Sequence, residues 1–218
     1  MIREIPVNNM GIFSNYEIDV PTSCPICGVA IDPKLISATI AEGVHTMSNN
    51  LTVTFQCTNC DHFFHIDRNE DGPDHIFPVI AKLDLLNDIT HAYPVFAEIY
   101  RQSLQAQAEN LYHIAGMGYR KAVEQLVKDY LTRKFPEKSD AIKSESLGDS
   151  IKRITLPSIQ ALAKASTWLG NDYVHLVNKH PDYDMEEMKK FIRALAASIN
   201  QENTLQEAMK FIADHHST

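Results

Sequence analysis

Hydrophobic positions follow two different periods along this chain. Leu51, Val53 and Phe55 alternate with polar residues, the two-residue period of a half-buried strand. From Pro78 onward apolar residues return every three or four positions, the period of an amphipathic helix. Pro94 is suited to open a helix carrying Val95, Ile99 and Leu104. A longer helix is predicted from about Leu111 to Phe135, with Tyr119, Val123, Leu126, Val127, Tyr130 and Leu131 on one face and Pro136 as its stop. A polar loop over 137–145 leads to a short helix with Leu147, Ile151 and Ile154, and Pro157 opens another with Ile159, Leu162 and Ala163. Two final helices are predicted. One follows Pro181 with Met185, Met188, Ile192, Leu195 and Ile199, and one carries Leu205, Met209 and Ile212.

These runs predict a mainly α protein: an antiparallel helical bundle over 75–218, preceded by a small β-rich module over 1–74. Short loops between helices favour antiparallel neighbours. The boundary is expected in the polar, turn-rich stretch from Asn69 to Asp74.

All four cysteines fall in the β-rich module, as Cys24-Pro25-Ile26-Cys27 and Cys57-Thr58-Asn59-Cys60. A two-residue gap lets a tight turn aim both sulfurs at one ion, and two such turns complete a tetrahedral site. The spacing predicts one structural zinc ion on Cys24, Cys27, Cys57 and Cys60, with no open position for catalysis. A disulfide pair or a redox motif is the competing reading, but no oxidising compartment is indicated and a redox motif needs no second copy. His62 and His65 are the alternative ligands. Phe55, Phe63 and Phe64 are expected to cover a core too small to fold without the metal.

Charge sharpens the division. Of the 218 residues, the first 78 hold three Lys/Arg against ten Asp/Glu, and the remainder hold seventeen against eighteen. The acidic excess therefore sits in the cysteine module, which is poorly made to displace counterions from phosphates. No apolar run reaches the roughly 18 residues of a membrane span, and the first residues lack a signal-peptide pattern, so a cytoplasmic protein is expected. Lys189, Lys190 and Arg193, and Lys128, Arg133 and Lys134, form two basic strips, read as solvated faces in a nearly neutral domain.

Candidate chemistry in the helical part is confined to a few polar groups. Arg120 and Glu124 lie one helical turn apart and are expected to pair. Gly170 can take a positive backbone angle or end a helix, and Asn171 or Asp172 can cap the helix expected to follow. On that helix His175 would converge with Asn171 and Asp172 near one turn.

The run Tyr119-Arg120-Lys121-Ala122-Val123-Glu124-Gln125-Leu126-Val127, then Leu147 with Ile151, then Leu169-Gly170-Asn171-Asp172-Tyr173-Val174-His175, resembles the bacterial and phage domain of unknown function numbered 4145. The resemblance covers roughly residues 90 to 200. That family is grouped with the HEPN superfamily of helical bundles, which implies a dimeric core and links to defence and mobile-element systems. Active HEPN members are metal-independent ribonucleases whose motif joins an arginine, a polar residue and, after three further residues, a histidine. On this resemblance Asn171 takes the polar position and His175 the histidine, while Gly170 stands where arginine should be. Glycine cannot stabilise developing phosphate charge. Arg120 is the side chain that could replace the arginine, and Arg120, Glu124, Asn171, Asp172 and His175 are expected to form one buried polar cluster.

The missing arginine, the closed zinc site and the acidic module together favour a non-catalytic interaction or regulatory protein with a protein partner, a homodimer being one such arrangement. The alternative is a HEPN-type ribonuclease using His175, Asn171 and Arg120. Nucleic-acid binding without cleavage is a third, less favoured reading.

Overall fold

The computed structural model describes residues 1–9, 12–42, 49–69 and 74–215. Contacts divide the chain into Met1–Ile80 and Ala81–Thr218. Glu70 to Pro73, the centre of the expected boundary, lie outside the described residues. Strand pairing continues beyond that stretch, which is why the division falls at Ile80.

Among the described residues the first unit holds two antiparallel sheets. One is a hairpin of β1 (Ile2–Asn9) and β2 (Ile12–Asp19). The other is ordered β3 (Lys34–Glu42), β4 (Asn49–Gln56), β5 (Phe63–Asn69) and β6 (His75–Phe77). Alternation directs Leu51, Val53 and Phe55 of β4, and Phe64 and Ile66 of β5, to one face. There they meet Ile5, Val7, Ile18 and Val20 of the hairpin region in a single core. Register pairs Val53 with Ile66 and Phe55 with Phe64, and the two phenyl rings stack at 5.6 Å. The same two-residue period turns Phe63 outward to 56% exposure, so Phe63 does not cover the core as expected.

Among the described residues the second unit holds seven α-helices: α1 (Asn87–Ala92), α2 (Pro94–Ala108), α3 (Tyr112–Lys134), α4 (Ser139–Ser144), α5 (Leu147–Arg153), α6 (Pro157–Asp172) and α7 (Met185–His215). The 23-residue α3 is central and packs against α2, α4, α5, α6 and α7. Its apolar stripe, from Tyr119 to Leu131, is buried as the periodicity predicts. A mainly α chain with an N-terminal β region is therefore observed.

Three helix boundaries differ from expectation. The stretch read as a polar loop after Pro136 contains a turn of 3₁₀ helix and α4, anchored by the buried Ile142. The two final helices are one helix of 31 residues, because Asn200 to Thr204 includes no glycine or proline to break it. Asn171 and Asp172 do not cap a following helix; they are the last two residues of α6. The cap of α7 is Asp184, whose Oδ1 accepts the backbone N–H groups of Glu186 at 2.7 Å and Glu187 at 3.1 Å.

Candidate functional site

The cysteine pairs occupy two equivalent turns, one between β2 and β3 and one between β4 and β5. In each, the residue after the second cysteine adopts a left-handed conformation, Gly28 at φ 73° and Asp61 at φ 60°. In each, that residue's N–H returns to the first cysteine's carbonyl, Gly28 to Cys24 at 2.9 Å and Asp61 to Cys57 at 3.1 Å. The turns also direct backbone donors at sulfur: Ile26 N to Cys24 Sγ and Asn59 N to Cys57 Sγ, both 3.3 Å. Such donors favour the thiolate, and the Val29 amide draws the Cys27 thiol down to about 7, while burial pushes the Cys24 thiol up and, against the His62 amide, burial and the neighbouring thiols push Cys60 up to about 12.

The four sulfurs lie within 4.8 Å of one another, with Cys24–Cys60 and Cys27–Cys57 each at 3.9 Å. An ion held about 2.3 Å from four thiolates sets sulfurs roughly 3.8 Å apart, so this donor set fits one tetrahedral metal ion. All four cysteines are free, which removes the disulfide reading. His62 turns Nδ1 to the Cys60 carbonyl at 2.8 Å, and His65 stacks on Phe77. Neither joins the sulfur group.

In the helical unit the expected five-residue cluster comes together only in part. Arg120 does not pair with Glu124. It crosses to α6, where its Nε donates to Asn171 Oδ1 at 2.7 Å. Glu124 instead meets Lys128 at 3.0 Å and Lys121 at 3.4 Å. Partial burial works to raise the Glu124 pKa, but the two lysines outweigh it and hold the carboxyl below its usual range.

Gly170 makes the crossing possible. It lies inside α6 rather than ending it, and it does not adopt a positive φ. A Cβ there would sit 2.8 Å from Arg120 Cβ and 2.9 Å from Met188 Cε. The missing side chain is the space through which the arginine stem from α3 passes. A guanidinium thus stands beside Asn171, and its terminal nitrogens make no further hydrogen bond among the described residues.

Asp172 and His175 are not a buried helical pair. His175 is exposed just past the end of α6, its backbone N–H on the Asn171 carbonyl at 2.9 Å. Asp172 folds the loop 173–184 back on the helix. Its carboxylate accepts the backbone N–H groups of Lys179 at 3.0 Å and His180 at 3.2 Å, and it meets His180 Nδ1 at 2.8 Å. Burial works to raise the Asp172 pKa, yet the Lys179 amide and His180 hold it below the usual carboxylate range.

The loop encloses a cavity of about 310 Å³ lined by Trp168, Asn171, Asp172, His175, Val177, Lys179 and His180. Trp168 and Asn171 also line a second cavity of about 440 Å³, whose wall includes Arg120, Lys152 and Lys164. Trp168 is 50% exposed, with His180 stacked on its ring at 6.0 Å and Lys164 Nζ 4.9 Å from the ring centre. An aromatic face ringed by cations, with two imidazoles beside it, can receive a phosphate-bearing ligand and exchange protons with it. A larger cleft of about 870 Å³ lies elsewhere in the unit, but its cations are engaged, Lys134 with Glu202 and Arg133 over the Tyr93 ring.

The basic strips are likewise neutralised in part. Lys189 pairs with Glu186, Arg193 with Asp84 and Lys128 with Glu124. Sequence reasoning missed His180, Lys179, Lys164 and the role of Trp168. The loop carries no period, so nothing placed His180 on Asp172. The four-residue step from Lys164 to Trp168 on α6 was the one available signal.

No helix among the described residues is long and apolar enough to cross a membrane. A scan against protein-family models, a search of curated proteins and a search of solved structures each found no match.

Proposed function

We propose that the helical unit is a metal-independent ribonuclease and that the β unit is folded around one structural zinc ion. The observation that carries the first part is the Arg120–Asn171 hydrogen bond across Gly170. It supplies a cation where the HEPN-like motif of this sequence lacks one, in a cavity that adjoins the one lined by His175 and shares Trp168 and Asn171 with it. Arg120 stabilises the phosphoryl oxygens, Asn171 orients Arg120, and His175 takes the proton of the attacking ribose 2′-hydroxyl. Four thiolates at tetrahedral spacing favour zinc and leave it no open coordination position, so the ion supplies folding energy only.

The test is cleavage of end-labelled single-stranded RNA, with enough EDTA to remove free divalent ions but not the cysteine-bound one. Wild type is expected to cut, and His175→Ala to lose at least roughly a hundredfold in rate. Equal cleavage by both proteins would sink the assignment.

A non-catalytic interaction protein is the second reading, and one observation favours it. The end of α7 exposes Leu205, Ala208, Met209 and Ile212 on one face with no cover among the described residues. Its occupant is a second copy. An antiparallel pair sets Leu205 against Ile212 and the small Ala208 against the large Met209, so one stripe complements itself. The interface is small, so self-association is concentration-dependent. Sedimentation should show a dimer that Leu205→Glu abolishes, and a strictly monomeric wild type would remove this surface from consideration.

A further inference from the structure

The geometry points to His180 as the general acid that protonates the leaving oxygen, the counterpart of His175 across the same cavity. This rests on the ribonuclease reading and adds a group that no motif in the sequence marks.

Three observations single out His180. It lines the 310 Å³ cavity together with His175 and Lys179. Asp172 engages its Nδ1 at 2.8 Å, which directs Nε2 as the nitrogen left to meet a ligand. The imidazole also stacks on Trp168 at an interplanar angle of 11°, so the ring plane is fixed from a second side. A carboxylate on one ring nitrogen holds the ring's orientation and leaves the other nitrogen to face the leaving oxygen, the geometry a proton donor needs. His175 has no such carboxylate among the described residues, and its side chain is exposed, which suits the base. The titratable groups lining the cavity with His180 are Asp172, His175 and Lys179, while Lys164 lies over the Trp168 ring with its Nζ 4.9 Å from the centre.

The step balances without a metal or cofactor. The ribose 2′-oxygen forms a bond to phosphorus as its proton passes to His175. The bond from phosphorus to the 5′-oxygen breaks as that oxygen takes a proton from His180. The products are a 2′,3′-cyclic phosphate and a 5′-hydroxyl. Lys179 is the cation that lines the cavity with both imidazoles, Arg120 reaches the phosphoryl oxygens from the adjoining cavity through Asn171, and solvent restores both imidazoles to their starting states.

The experiment compares two RNA substrates of one sequence, one natural and one with sulfur in place of the leaving 5′-oxygen. A thiolate leaves without being protonated, so the second substrate needs no general acid. His180→Ala is expected to slow the natural substrate by roughly 10²- to 10⁴-fold and to cleave the sulfur substrate within a few fold of wild type. His175→Ala should be slow on both. Near-wild-type cleavage of the sulfur substrate also establishes that the variant's site is intact. The inference is overturned if His180→Ala cuts the natural substrate at the wild-type rate. It is equally overturned if the variant is slowed to the same degree on both, which makes His180 a structural or positioning residue. If wild type cuts neither substrate, the ribonuclease reading falls and takes this inference with it.

Discussion

Two residues decide whether the polar groups of the helical unit can act together. Gly170 is the first. Replacing it with alanine gains about 1 kcal/mol in helix propensity and overpacks the contact with Arg120 by about 1–3 kcal/mol. The near atom is Arg120 Cβ, which is tied to the α3 backbone and cannot swing aside as Met188 Cε can. Gly170→Ala is therefore expected to lower thermal stability slightly and to break the 2.7 Å bond to Asn171, with RNA cleavage falling in step. A variant with full activity would show that Arg120 needs no such passage. Asp172 is the second. Its carboxyl is held below the usual range, so its tether on the loop 173–184 is fully present above about pH 4, the ordinary aspartate value. The tether is lost as pH falls through the lowered folded-state value. Protection of the Lys179 and His180 amides, measured relative to their intrinsic exchange rates, should thus stay high at neutral pH and fall in acid. Asp172→Asn should remove it throughout, and wild-type protection that does not change with pH would contradict the clamp.

Elements with a strong period were legible from the sequence, and elements set by a single contact were not. The α3 stripe and the Pro94 and Pro157 starts follow from spacing and proline geometry alone. The boundary between α6 and α7 does not. Gly170 followed by Asn171 and Asp172 carries the chemistry of a helix end, yet the packing of Arg120 into the glycine gap keeps α6 helical to Asp172. The true start of α7 was written as a capping box, Asp184 with Glu187 three residues later, just ahead of the apolar period. Asp184→Ala leaves two backbone donors without their acceptor and is expected to cost about 1 kcal/mol of stability, read as a lowered denaturation midpoint with an unchanged slope. No change in midpoint would mean that water caps the helix as well. The continuity of α7 past Ile199 has a further consequence. Its apolar phase slips between Ile199 and Leu205, so the second stripe leaves the core and faces outward.

At the scale of the whole molecule, the cysteine spacing was the most legible feature, because ligand geometry is local and a two-residue gap fixes it. Which polar side chains would share a cavity was the least legible, since His180 reaches Asp172 through an aperiodic loop. The two units also differ in how much they need a metal. Among the described residues, the β unit buries nine apolar side chains in its core and the helical unit twenty-six. A core that small does not hold a fold of about 80 residues without a further constraint, which the metal ion proposed on the four cysteines would supply. Removing the metal should therefore unfold one unit and spare the other. A strong chelator is expected to leave the helical circular dichroism signal nearly intact, to make the four thiols reactive, and to open Val53 and Phe64 to amide exchange. Cys57→Ser should do the same without chelator. Because the proposed RNA site lies wholly within the helical unit, cleavage should survive both treatments. Loss of the helical signal along with the metal would show instead that the two units fold as one cooperative body.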